Sequence, residues 1–441
     1  MRHNPLIFLL CALQAGVCLG ANWPGWRGPA GTGVCTEIDL PLHWDAAHSI
    51  RWRTPLPDRG NSTPVVWENR VFVTQATEKD HRRSLLCLNR VDGRVLWQAG
   101  VTWGEHEPTN AQNPYCSSSP VTDGQRVIAY FGSAGLYCYD FSGKEQWHRD
   151  IGAVDSWQGS GSSPMLHGNL CIVNAGPGTH AALIAVNKQD GSVAWKVSPP
   201  KVPGRAITGV KLPVIGGFDN AFAQADPSGA GGFLGSWSTP IVIRERGRDE
   251  LIVVHPYQVS AYEPETGKEI WSCTGLPGQA FASPVVGDGM LVVCGHKLSG
   301  GGTRVTGIWL DDSAGSHRIR WQTDFPKDCV GSGVIAHGRV YLPTQFGSML
   351  CLDLPSGRKL WEKRLAGEGT LGGCWSSIVI AGDRLLIPNQ SGEVFILSTT
   401  SDHFDLVARN SMGDEPTCAS LSISDGQIFL RTYKALWCIG R

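Results

Sequence analysis

The sequence predicts an all-β fold: an eight-bladed β-propeller of four-stranded blades, closed by its N-terminal strand. Three observations carry that expectation. A unit of strand, turn, strand, tight turn and strand recurs along the chain. Most copies end on tryptophan, at Trp97, Trp147, Trp195, Trp271, Trp321 and Trp361, mostly about 40–50 residues apart, the length of one four-stranded blade. The last copy is one strand short, and a matching strand stands near the N-terminus.

Taken in order, the chain opens with Arg2 and His3 before an apolar stretch, Leu6–Leu19, and then Gly20 and Ala21. This pattern reads as a secretory signal peptide over residues 1–20, too short for a membrane span. The mature chain is therefore expected to be exported, periplasmic or extracellular, with no transmembrane segment. Residues 21–43 form an N-terminal arm, and 44–441 the propeller. Ile50-Arg51-Trp52-Arg53 has the look of a closing strand and is expected to complete the last blade. Closure removes the two open sheet edges that would invite aggregation.

Seven copies follow. Ser62-Thr63-Pro64 leads through Val91-Asp92-Gly93 to Trp97; Ser118-Ser119-Pro120 leads to Trp147, and Ser162-Ser163-Pro164 to Trp195. Ser238-Thr239-Pro240 leads to Trp271 and Ala282-Ser283-Pro284 to Trp321. The wide interval between Trp195 and Trp271 holds an insert, 198–236, rich in Gly, Pro and Ala. The clearest copy, VYLPTQFGSMLCLDLPSGRKLW, spans 340–361. Its Pro355-Ser356-Gly357 makes a tight turn in which Gly supplies a positive φ. The seventh copy, from Trp375-Ser376-Ser377, has Val407 near the closing aromatic position. The eighth runs from Cys418-Ala419-Ser420 to Leu436-Trp437-Cys438 and stops.

With a net charge of −1, nothing points to nucleic acid or an anionic membrane surface. The cysteines follow no disulfide framework, and Cys87, Cys138, Cys351 and Cys438 share one repeat position, held elsewhere by Ala185 and Ala261. That position calls for a small buried side chain, so most thiols are expected to be free. No CxxC pair exists, and a metal site is not expected.

The two faces of such a ring differ. Strand 1–2 and strand 3–4 turns are short and alike, so their face reads as structural. The opposite face holds the strand 2–3 loops, expected to be long at Thr74–Ser84, Asn174–Ala182 and Gly295–Thr306. It also holds the blade connections, with Tyr115, Trp157, Trp237, Phe281 and Trp375 beside Gly and Ser. His180, His255 and His296, with Gln345, Asn389 and Arg431, are placed there too. Loops on a rigid scaffold gather binding residues, so this face is the expected binding face. The same aromatics could instead pack the inner strands. No HExxH appears, and Gly159-Ser160-Gly161-Ser162-Ser163 lacks the strand–turn–helix context of a hydrolase nucleophile. No catalytic set is identified.

Leu350-Cys351-Leu352-Asp353, Ser356-Gly357 and Leu360-Trp361, like Ala261–Trp271, resemble the repeat of the pyrroloquinoline-quinone-like propellers, over roughly 44–441. The resemblance implies a tryptophan-docking role, a wedge between neighbouring blades, for Trp52, Trp97, Trp147, Trp195, Trp271, Trp321 and Trp361. It also implies one of two kinds of function. One is a non-catalytic scaffold like the propeller subunit of the outer-membrane protein assembly machinery, with a protein, peptide or glycan partner and no cofactor. The other is an alcohol or sugar dehydrogenase holding the quinone (PQQ) and calcium on the axis, beside an adjacent-cysteine disulfide that this chain lacks. The leading expectation is an exported, monomeric, non-enzymatic binding scaffold; the alternative is the quinone-dependent oxidoreductase.

Overall fold

The structure is a computed structural model that describes residues 22–156, 158–200, 235–297, 301–310, 319–365, 367 and 372–440. The segment expected to be a signal peptide, Trp157 and nearly all of the insert lie outside the described residues. Eight sheets are formed, each with four antiparallel strands of one blade. Blades 1 to 7 follow the sequence copies: Val65–Trp67 to Val95–Thr102 is blade 1, and Val379–Ala381 to Leu406–Ser411 is blade 7. The eighth is split as the sequence implies. Ser422–Ser424, Gln427–Arg431 and Ala435–Ile439 are completed by Ile50–Pro55, with Trp52 opposite Cys438 and Thr54 opposite Leu436. The first, short strand of each blade is innermost.

One local unit explains the repeat. The third and fourth strands pair so that the closing Trp faces a small residue: Cys87 and Trp97, Cys138 and Trp147, Ala185 and Trp195, Ala261 and Trp271, Gly307 and Trp321, Cys351 and Trp361. A register shift follows each pair and turns the indole out of its own sheet. The rings of Trp52, Trp97, Trp147, Trp195 and Trp321 then meet the tight turn of the next blade. Trp52, Trp97, Trp147, Trp195 and Trp321 donate their indole N–H to the carbonyls of Arg90, Phe141, Lys188, Pro264 and Leu354, at 2.7–3.0 Å. Trp271 instead donates to the carboxylate of Glu250 in its own blade, at 2.7 Å. Trp361 has a buried N–H with no acceptor and packs edge-on to Phe404 of blade 7.

Blade 7 inverts the unit. Its register places Ile396 opposite Ala408, so Ala408, not Val407, holds the position of the tryptophan. The large residue is here on the third strand, Ile396, buried in one cluster with residues of blade 8.

The turn glycines answer two demands at once. Gly357 has φ +68, and a β-carbon on it would stand 2.3 Å from the Trp321 ring. Gly338 has nearly the same φ, +67, with nothing within 4 Å of that β-carbon. Gly338→Ala should therefore cost only the left-handed backbone, about 1–2 kcal/mol. Gly357→Ala should cost that plus the displaced indole, for a total of about 2–4 kcal/mol. Urea unfolding of the two variants separates the terms; equal losses would show that the indole moves aside freely.

Two expected loops are shorter than the sequence suggests. In blade 1 the strands Arg70–Thr77 and Arg82–Asn89 continue through most of Thr74–Ser84, leaving a 3-10 turn at Glu78–Asp80. In blade 5 they continue to His296 and restart at Thr303.

Candidate functional site

A belt of hydroxyls encircles the axis. It consists of the residues that open each copy: Thr63, Ser119, Ser163, Thr239, Ser283, Ser332, Ser377 and Ser420. The backbone N–H of each donates to the hydroxyl of the next blade, from Thr63 N–H to Ser119 Oγ through to Ser377 N–H to Ser420 Oγ, at 2.9–3.0 Å. These bonds cross seven of the eight seams. At the eighth, between blades 8 and 1, the Thr63 hydroxyl is buried without a partner. Across that seam reaches Arg431, fully buried on the second strand of blade 8. Its guanidinium donates to the Thr74 carbonyl at 2.5 Å and to Gln75 Oε1 at 2.8 Å, both on blade 1. Burial lowers its pKa to about 10, which leaves it charged at neutral pH.

The N-terminal arm lies across the strand 1–2 turn end of the channel. Trp23 exchanges backbone hydrogen bonds with Val66 of blade 1, and Pro24 accepts from Thr122 N–H of blade 2. Gly31 passes Ile241 of blade 4. Val34–Cys35 then adds a parallel strand to Val379–Ala381 of blade 7, and the Glu37 carboxylate accepts from the N–H groups of Asp425 and Gly426 of blade 8. Arg27 pins this crossing. Its buried guanidinium donates to the carbonyls of Thr32, Ser332, Gly333 and Ile378. Desolvation lowers its pKa to about 9, so it too stays cationic at neutral pH, with carbonyl dipoles in place of a counter-ion.

Between arm and loops the axis holds a cavity of about 560 Å³, within the size range of small-molecule sites. Trp26 of the arm forms part of its wall, as do Ser163, Thr239, Ser283, Ser332, Ser377 and Ser420 of the belt. Five residues expected on the binding face line it: Trp237, Phe281, Trp375, His296 and Gln345. The rings of Trp237 and Phe281 stack with centroids 4.9 Å apart. His296 Nδ1 stands 2.6 Å from Asp328 Oδ1, and Gln345 donates its amide to Asp328 Oδ2 at 2.9 Å. Both oxygens of that carboxylate are thus engaged. Asn61, Asn110, Gln112, Asn113, Gln158 and Gln279 supply further amides. Cys418 also lines the wall. Its thiol accepts from the Tyr433 hydroxyl at 3.2 Å, and burial raises its pKa, so it is a protonated thiol and no nucleophile.

The other expected site residues sit elsewhere. Tyr115 donates its hydroxyl to the Glu107 carbonyl, under the Arg83 guanidinium 3.6 Å from its ring. His180 is exposed beside Asp155. His255 is buried against the Tyr262 hydroxyl, 3.0 Å away. Asn389 is buried and donates to Glu393. The three histidines do not gather: among the described residues no group of three His, Cys, Asp or Glu is placed to hold a metal ion.

Sequence reading missed the six amides and Trp26. The signal for the amides was the run Asn110-Ala111-Gln112-Asn113 just before a blade start; nothing local marks Trp26. The hydroxyl belt was visible only as a marker of where each copy begins.

Comparison with known proteins agrees with this architecture. Among solved structures, BamB from Moraxella catarrhalis is similar with a TM-score of 0.57 and 13% identity, over 88% of this chain and 98% of that one. A europium-containing methanol dehydrogenase is similar with a TM-score of 0.63 and 12% identity, over 93% and 89%. The quinohemoprotein alcohol dehydrogenase from Comamonas testosteroni gives 0.64 and 12%, over 96% and 81%. At such identities the likeness is one of fold. No curated protein matches the chain. The family model described as outer membrane protein assembly factor BamB matches residues 41–154, 81–235 and 258–435, so the chain belongs to the BamB-like family of pyrroloquinoline-quinone-like repeat propellers.

Proposed function

We propose that this chain is an exported, non-enzymatic binding scaffold whose ligand enters the axial cavity from the strand 2–3 face. The observation that supports this is the wall itself: stacked aromatics, amides and hydroxyls, with a protonated thiol and a carboxylate already satisfied by His296 and Gln345. Such a lining recognises and orients; it offers no activated nucleophile. Export rests on the basic start and apolar run of residues 1–20. No helix of the described residues is long and apolar enough to cross a membrane.

The quinone alternative asks for more than this wall supplies. Pyrroloquinoline quinone carries three carboxylates and works with a calcium ion, so it needs several cationic or donor groups and an oxygen cluster for the metal. Among the described residues the wall has one lysine, Lys297, itself 3.3 Å from Asp324, and one carboxylate, Asp328. These residues do not fit the pair. Titrating the purified chain with the quinone and calcium tests the point. The expected result is no bound chromophore and no dye-linked oxidation of alcohols or sugars. A stoichiometric chromophore with dye reduction would overturn the scaffold reading.

A further inference from the structure

We infer that the ligand of the axial cavity is a neutral carbohydrate, a short saccharide seated between the aromatic rings and the amides; this rests on the binding reading above. Charge points the same way. Among the described residues the formal charges on the wall are Lys297 and Asp328, which cancel, and Asp328 is already bonded to His296 and Gln345. A phosphate, sulfate or uronate would find a single lysine, which already shares Asp324. Polar chemistry is the second argument. Side-chain amides both accept and donate, and a hydroxyl rotates to do either. Among the described residues seven amides and seven hydroxyls line the cavity, and the belt hydroxyls already accept a backbone N–H from the neighbouring blade, so each retains an O–H to donate. Vicinal sugar hydroxyls, which themselves donate and accept, match such a wall.

Apolar chemistry is the third. The large apolar surfaces are flat rings: Trp26, Trp375 and the Trp237–Phe281 stack. The negative face of an indole attracts the C–H edge of a pyranose ring. A peptide would instead be held by aliphatic or aromatic anchors in deep apolar pockets, and among the described wall residues Val330 is the one branched aliphatic side chain.

Calorimetric titration of the mature chain with maltotriose, cellotriose and chitotriose, beside a printed array of neutral and anionic glycans and a random peptide pool, tests this. At least one neutral glycan is expected to bind. Gln279→Ala and Trp375→Ala, the latter a partly exposed position, should each weaken that binding at least tenfold at an unchanged unfolding temperature. Three results would overturn the saccharide assignment. One is retention of anionic glycans alone. Another is peptide binding that the same two variants abolish, which would leave the cavity as a binding site with a different ligand. The third is no neutral glycan retained at millimolar concentration. The quinone titration described above reports on the scaffold reading separately, because its chromophore does not depend on any sugar.

Discussion

Replacing Trp52 by alanine is expected to cost about 3–5 kcal/mol, the upper range for a buried aromatic, and more than the same change at Trp361. Trp52 is the indole on the N-terminal strand that completes blade 8, and it joins three pieces. Its backbone pairs with Cys438, its ring lies over Gly93 and 6.0 Å from Phe429, and its N–H donates to the Arg90 carbonyl of blade 1 at 2.7 Å. Removing the ring leaves a cavity at the point where the chain ends meet, and leaves the Arg90 carbonyl without that donor. The hydroxyl belt does not bridge this seam between blades 8 and 1, so without the indole the seam would rest on Arg431, on the Thr54 hydroxyl donating to the Gly93 carbonyl, and on Arg90 donating to Gln427 and the Ser424 carbonyl. Trp361 has no acceptor for its N–H and is only half-buried, so Trp361→Ala should cost about 2 kcal/mol. The check is urea unfolding followed by tryptophan fluorescence, with Trp52→Phe as the variant that keeps an aromatic ring and loses the hydrogen bond. Equal losses at 52 and 361 would mean that the closing strand adds no special stability.

The physical reason the ring was legible, and parts of the wall were not, is the range over which each constraint acts. Gly93, Gly143, Gly191, Gly267 and Gly357 combine a positive φ with a tryptophan from the preceding blade. Both demands fix residue type at one position, so the repeat shows in the sequence. The closing strand was legible for the same reason, because Trp52 obeys the rule from the far end of the chain. Ala408 was not, since locating it requires counting through a bulge that only the pairing of Ile396 with Ala408 reveals. Thr74-Gln75-Ala76-Thr77 reads as loop because it is polar. It is strand, paired with Arg82 to Leu85, and Arg431 of blade 8 meets the Thr74 carbonyl and the Gln75 side chain across the seam. On the wall, Trp237, Phe281 and Trp375 stand out as aromatics among small residues in blade connections. Trp26 does not, because only the path of the arm across the axis brings it there.

Acid should destabilise the chain through His255, a residue that the sequence puts on the binding face and the structure puts in the core. Its ring is buried beside the Tyr262 hydroxyl, with Nδ1 lacking any partner. Burial disfavours the imidazolium and lowers the pKa from 6.5 to about 4. In the unfolded chain the imidazole takes a proton near pH 6.5; in the folded chain it resists until about pH 4. The unfolded state therefore binds more protons throughout that window, and stability falls as the pH falls through it. Above pH 6.5 the contribution is fully present; below about 4 it is gone, a loss on the order of 3 kcal/mol. Carboxylates titrate in the same range, so the readout is a difference. His255→Gln keeps a polar group toward Tyr262 and carries no titrating proton. The variant's stability, measured by urea unfolding from pH 7 to pH 4, should decline less steeply than that of the parent by that amount, whatever its stability at pH 7. Parallel curves for parent and variant would show that His255 takes up its proton in the folded chain, and that water reaches the end of strand Arg248–His255.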